Sequence, residues 1–148
     1  MTDALELEPG EELHARTHVS FRGSGACSVR STFALGSARM RAHAYEGWSA
    51  LARNARFPEV GPEMVLQLTN RRIAVRKASF WMGRPTDVGQ DIDLRDVAAV
   101  AVQRHGLVVG LAIAMKDGAI VEVETMRPRR LRAFARSIDT LLAQQQPH

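Results

Sequence analysis

From Met64 onward the apolar residues keep a period of two on both sides of a polar pair, and this fixes a strand register. Met64, Leu66 and Leu68 share one parity, and beyond Asn70-Arg71 the residues Ile73 and Val75 repeat it. A two- or four-residue loop centred on Asn70-Arg71 pairs Leu68 with Ile73 and Leu66 with Val75, so both strands turn their apolar side to one core. The same register sends Thr69, Arg72 and Arg76 outward and leaves Arg71 at the turn. Lys77 has inward parity, but at a strand end its ammonium can reach out to water.

A second hairpin is specified further along. Leu111, Ile113 and Met115 alternate with alanines, and Val121 and Val123 alternate with Ile120, Glu122 and Glu124. A two-residue Asp117-Gly118 turn would oppose Ile113 to Glu122. A three-residue loop, Lys116-Asp117-Gly118, instead pairs Ile113 with Val121 and Leu111 with Val123, and puts glycine where such loops need a left-handed residue. Upstream, Leu13, Ala15, Thr17, Val19 and Phe21 alternate with polar residues, a half-buried strand that stops at Gly23-Ser24-Gly25. Ile92 and Leu94 mark a short strand after Gly83-Arg84-Pro85, and Val97 to Val102 form another. Met40, Ala44, Trp48, Leu51 and Ala55 form one helical stripe, closed by Phe57-Pro58 and Gly61-Pro62. Pro128, at a first helical turn, opens a C-terminal amphipathic helix with Leu131, Phe134, Ile138, Leu141 and Leu142 on its apolar side.

The fold class is therefore mainly β with helices: about six antiparallel strands in a small barrel or bent sheet, its open end plugged by the terminal helix. The run M-V-L-Q-L-T-N-R-R-I-A-V, then I-D-L-R-D-V with an apolar strand, a K-D-G hairpin and a closing helix, resembles bacterial pleckstrin-homology-like domains. It is most similar to those of small actinobacterial proteins of uncharacterised function, over roughly residues 63–142. Leu68-Thr69-Asn70-Arg71-Arg72 is the most specific element, and the helical segment from Ser37 to Ala55 is extra to a minimal domain of this kind. The resemblance implies a barrel closed by a C-terminal helix, no intrinsic catalysis, and a role in binding lipid or protein. The chain divides into an acidic flexible leader (1–12), one domain (13–143) and a frayed tail (144–148). Within the domain, an N-terminal strand and helical region (13–62) precedes the barrel core and closing helix (63–143).

Charge narrows the function classes. The net charge is +4; Asp3, Glu6, Glu8, Glu11 and Glu12 all lie in the first 12 residues with no base, so removing those negative charges leaves +9 on the remainder. Such a body suits an anionic partner: phospholipid headgroups, nucleic acid or an acidic protein. The single cysteine, Cys27, rules out an internal disulfide and fits a reducing cytoplasm, with peripheral attachment to the inner membrane face as an extension. The most apolar run, Leu107 to Met115, is about half of the ~18–20 residues a spanning helix needs.

The candidate anion- or partner-binding residues are Arg71, Arg72, Arg76, Lys77, Phe80, Trp81 and Arg84. The arginines could grip phosphate oxygens as forks, or simply line a wet strand and pair with Asp91, Asp93, Glu122 or Glu124. Phe80 and Trp81, flanked by Lys77 and Arg84, suit a membrane interface or a partner, or else cap the barrel mouth. His14 and His18 have helical ligand spacing, but on a strand they stand ~13 Å apart, too far to share one metal ion. Gly23-Ser24-Gly25-Ala26-Cys27 lacks the flanking pattern of a nucleophile elbow or phosphate loop. No catalytic residue, cofactor or metal site is expected. The expectation is a non-enzymatic binding module for a protein partner, another copy of itself or an anionic phospholipid surface, with nucleic-acid binding through the Arg-rich face as the alternative.

Overall fold

The computed structural model describes residues 5–21, 37–79, 84–106, 108–125 and 127–145. In chain order the elements are β1 (Leu13–Phe21), α1 (Ser37–Asn54), β2 (Glu63–Thr69), β3 (Arg72–Ala78), β4 (Pro85–Asp93), a 3-10 turn (Leu94–Asp96), β5 (Val97–His105), β6 (Val108–Met115), β7 (Ile120–Thr125) and α2 (Pro128–Gln145). The strands form one antiparallel sheet of seven, in the order β4-β3-β2-β1-β7-β6-β5. β1 joins the two halves: it pairs with β2 along most of its length and passes to β7 at Ser20 and Phe21.

Both hairpin registers hold. Leu68 faces Ile73 and Leu66 faces Val75 across β2–β3. Ile113 faces Val121 and Leu111 faces Val123 across β6–β7, and Gly118 takes the left-handed conformation at φ 96°. At the first hairpin neither Asn70 nor Arg71 has positive φ, since Arg56 is the one non-glycine residue in that region among the described residues. The turn is held instead by the Thr69 hydroxyl, which accepts from the backbone N–H groups of Arg71 (3.1 Å) and Arg72 (3.0 Å).

α2 packs on β1, β2, β5 and β6. Laid flat, β2 through β5 would spread over about 19 Å, nearly twice the width of a helix. One helix touches both ends of that span because the sheet curls around it. Leu131, Phe134 and Ile138 are fully buried there, with Leu66, Leu68, Ile73, Leu94, Leu111, Ile113 and Val123 in the same core cluster. Each such side chain contributes roughly 1.5–3 kcal/mol on leaving water.

Three expectations need correction. β4 is a nine-residue strand, where only a short one around Ile92 was expected. As an edge strand rich in Thr86, Asp87, Gly89, Gln90 and Asp91, it carries little apolar alternation. Gly89 is obligatory there, because a Cβ would stand 2.0 Å from the Val75 carbonyl oxygen. Leu13 is half exposed rather than inward, since a bulge between Leu13 and Ala15 breaks the period of two. On α1, Leu51 is 68% exposed and Ala52 takes its place in the core. Trp48 decides that rotation: it stacks with Tyr45, meets Phe57 edge-on and donates its indole N–H to the Glu122 carbonyl at 2.7 Å. Met40's side chain, the Gly23–Cys27 stretch, Phe80 and Trp81 lie outside the described residues.

α1 ends with Arg56 in the left-handed conformation (φ 58°), the Phe57 amide reaching back to Ala52 and the Arg56 amide to Arg53. Among the described residues the Thr17 hydroxyl is the buried side-chain polar atom without a partner, on the core side opposite Leu66. An unpartnered buried hydroxyl costs about 1–3 kcal/mol, and valine has nearly the same shape. Thr17→Val is therefore expected to raise the thermal midpoint by several degrees; a lowered midpoint would mean that the hydroxyl has a stabilising role.

Candidate functional site

The outer side of the β2–β3 hairpin is where the arginines were expected to meet solvent. It is covered. Thr69, on the outward parity, is fully buried, as are Val65, Gln67 and Ala74. Residues 5–12 form a strap across this face, held to the hairpin by hydrogen bonds.

The strap is held mainly by Glu11 and Arg72. Arg72 donates through Nε to Glu11 Oε2 at 2.8 Å and through Nη2 to Oε1 at 3.0 Å, a fork-to-fork pair. The Thr69 hydroxyl donates to Glu11 Oε2 at 2.7 Å, and the Glu8 amide donates to Oε1 at 3.0 Å. Arg72 also grips Asp91 Oδ2 (2.6 Å) and the Glu6 carbonyl (2.6 Å). Arg76 reaches Asp91 Oδ1 at 2.8 Å and the Gln90 carbonyl at 3.1 Å. Arg71 binds Glu8 Oε2 at 3.2 Å and the Pro9 carbonyl at 3.0 Å. Asn70 uses both ends of its side-chain amide: Oδ1 accepts from the Glu12 N–H at 2.9 Å, and Nδ2 donates to the Gly10 carbonyl at 3.1 Å.

The arginine face thus carries intramolecular carboxylates where a phosphate was considered. Asp91 was among the foreseen partners; Asp93 instead pairs with Arg95 at 2.8 Å. Glu11 was missed. The signal was available in charge complementarity, since an acidic leader without a base accompanies an Arg-rich hairpin in the same chain. Lys77 is exposed, with its stem lying beside Gly61, and Arg84 is exposed at the base of the β3–β4 loop, where Ser79 and Arg84 exchange backbone and hydroxyl hydrogen bonds. His14 and His18 are strand residues, and no group of potential metal ligands forms among the described residues.

A second basic surface remains open. Arg129, Arg132 and Arg136 follow at i, i+3 and i+7 on the side of α2 away from the core, spanning about 10 Å. Arg127 and Arg130 flank them, all are exposed, and none has an ion-pair partner among the described residues. The first turn of α2 has no acidic residue. Cations at a helix N-terminus oppose the peptide dipoles, and like charges three or four apart repel. No family model matches the chain, and no curated protein matches it.

The hydrogen bonds from Arg72, aided by those of Thr69 and the Glu8 amide, hold the Glu11 carboxyl down at about 2, against burial that pushes the other way. Arg72 is raised in turn, chiefly by Glu11. The unfolded chain takes up this proton near pH 4.5 and the folded chain only near pH 2. The stabilisation is therefore complete above about 4.5 and disappears as pH falls to 2, an effect on the order of 3 kcal/mol. Glu11→Gln is expected to lower stability by roughly 1–3 kcal/mol at neutral pH and to flatten the acid limb of urea unfolding; parallel acid limbs in the two proteins would show that the pair does not carry this dependence.

Proposed function

We propose that the chain is a non-enzymatic binding module that docks on an anionic membrane surface through the arginines of α2. The observation that carries this reading is the row Arg129, Arg132 and Arg136, exposed and without an ion-pair partner among the described residues, starting in the first turn of α2, where positive charge opposes the helix dipole. A layer of phosphate groups would supply the missing counter-charge. The seven-stranded antiparallel sheet curled on a C-terminal helix supports the pleckstrin-homology-like reading. No described helix is long and apolar enough to cross a membrane, and the outer side of α2 offers no large apolar residue to insert. Attachment would rest on charge alone. Each arginine near an anionic surface contributes about 1 kcal/mol, so the cluster supplies roughly 3–5 kcal/mol, a millimolar to sub-millimolar affinity that salt weakens.

Nucleic acid is the competing polyanion. Against it, none of the described aromatic residues is exposed, so the described surface has no stacking platform for bases. Sedimentation with anionic and neutral vesicles tests the membrane reading. The protein is expected with anionic vesicles at low salt only, and Arg129→Glu/Arg132→Glu/Arg136→Glu is expected to remain in solution. The charge reversal at Arg129, in the first turn of α2, should stabilise the helix by a few tenths of a kcal/mol, so lost binding with a thermal midpoint no lower than that of wild type is the joint signature. Equal behaviour of wild type and variant sinks the reading. A mobility shift of duplex or single-stranded DNA that the triple variant abolishes, without vesicle binding, would transfer the site to nucleic acid.

A further inference from the structure

We propose that the β2–β3 turn is a docking site for acidic peptides, and that residues 6–12 are its intramolecular occupant, a strap that masks the site until a partner's acidic segment displaces it. The proposal rests on what the turn contacts. Asn70 takes one N–H and one C=O of the strap backbone, its own amide donates to the Glu12 carbonyl at 3.3 Å, and Arg71 and Arg72 hold the carbonyls of Pro9 and Glu6. Only a polypeptide presents such an N–H beside a carbonyl; a phosphate offers acceptors alone. Two carboxylates three residues apart, Glu8 and Glu11, complete the pattern on Arg71 and Arg72. Pro9 and Gly10 (φ 80°) turn the strap between them, closed by the Glu11 amide on the Glu8 carbonyl at 2.9 Å.

The strap also has the character of a separable piece. The hydrophobic core and the residues packed against it begin at Ala15, so residues 5–12 add nothing to it, and Leu7 remains 45% exposed. Open clefts flank the strap, one of about 500 Å³ beside Leu5, Glu6, Gln67 and Arg76 and one of about 450 Å³ beside Glu8, Asp93, Arg95 and Gln145. A segment held by polar hooks above an intact core opens locally, at a free energy below that of global unfolding. Opening would free the hydrogen-bonding groups of Arg71 and Asn70 and uncover Arg72 and the Thr69 hydroxyl together. Because the occupant is tethered, its effective concentration is millimolar, and a competitor has to exceed that.

The full-length double variant Glu8→Gln/Glu11→Gln weakens the strap and leaves the turn untouched. A labelled peptide with the sequence of residues 5–12 is expected to bind it saturably, at least tenfold more tightly than it binds wild type. Adding Asn70→Ala should abolish the gain, and a peptide carrying Gln in place of both carboxylates should not bind. Absence of peptide binding up to millimolar concentration, or equal binding to wild type and the double variant, overturns the proposal. So does opening of the strap by anionic vesicles but not by the peptide, which would make the uncovered arginines a phosphate site. Amide exchange in the unaltered chain gives a check that needs no variant: Glu12 and Asn70 should exchange faster than the amides of β6 and β7, and equal rates would show that the strap does not open on its own. This surface is separate from the α2 arginines, so vesicle binding and peptide binding can succeed or fail independently.

Discussion

The packing of α2 into the curled sheet is the contact on which the other elements depend. Leu131, Phe134 and Ile138 are fully buried against strands from both halves of the sheet. Without a helix there, the inner faces of β1, β2, β5 and β6 would have no common cover. β1 allows the curl, because it passes from pairing with β2 to pairing with β7 at its last two residues. α1 adds a smaller aromatic lock in which Trp48, Tyr45, Phe21 and Phe57 meet around one indole hydrogen bond.

Once α2 is committed to the core by its apolar side, its other side has to face out, and arginines occupy it. The two basic regions then meet different fates. On β2–β3 the guanidinium groups lie within reach of Asp91 on the neighbouring strand and of Glu11 and Glu8 on the strap, and they are neutralised. On α2 the described residues offer the arginines no ion-pair partner. Desolvation separates the two cases as well. Glu11 is almost wholly buried beside Arg72, where breaking one partner strands the other, while an arginine in water loses little by waiting for a ligand.

Regular alternation made the hairpins readable. Leu66, Leu68, Ile73 and Val75 admit one register with a common apolar face, and Ile113 with Val121 selected the three-residue loop at Lys116-Asp117-Gly118. β4 was only partly readable because an edge strand with a glycine at a close backbone contact has few apolar positions to display. Leu51 looked like core because spacing gives a stripe about a helix, while the choice between Leu51 and Ala52 is a small rotation that Trp48 settles through a residue 74 positions away.

By itself the sequence determined the registers of the two hairpins, the glycine at Gly118 and the two faces of α2, since each follows from local periodicity or a local steric demand. It also determined that an acidic leader accompanies a basic body. Only the tertiary structure decided where that acid goes: Glu11 lies 61 residues from Arg72 in sequence and 2.8 Å from it in space. Outward parity on a strand describes direction and not exposure. Arg72 and Arg76 point away from the core, as the period of two requires; a distant segment then covers Arg72, and Asp91 on the neighbouring strand pairs with both. Which charges remain available to a partner is a property of the whole packing, because counter-charge is found through space rather than along the chain.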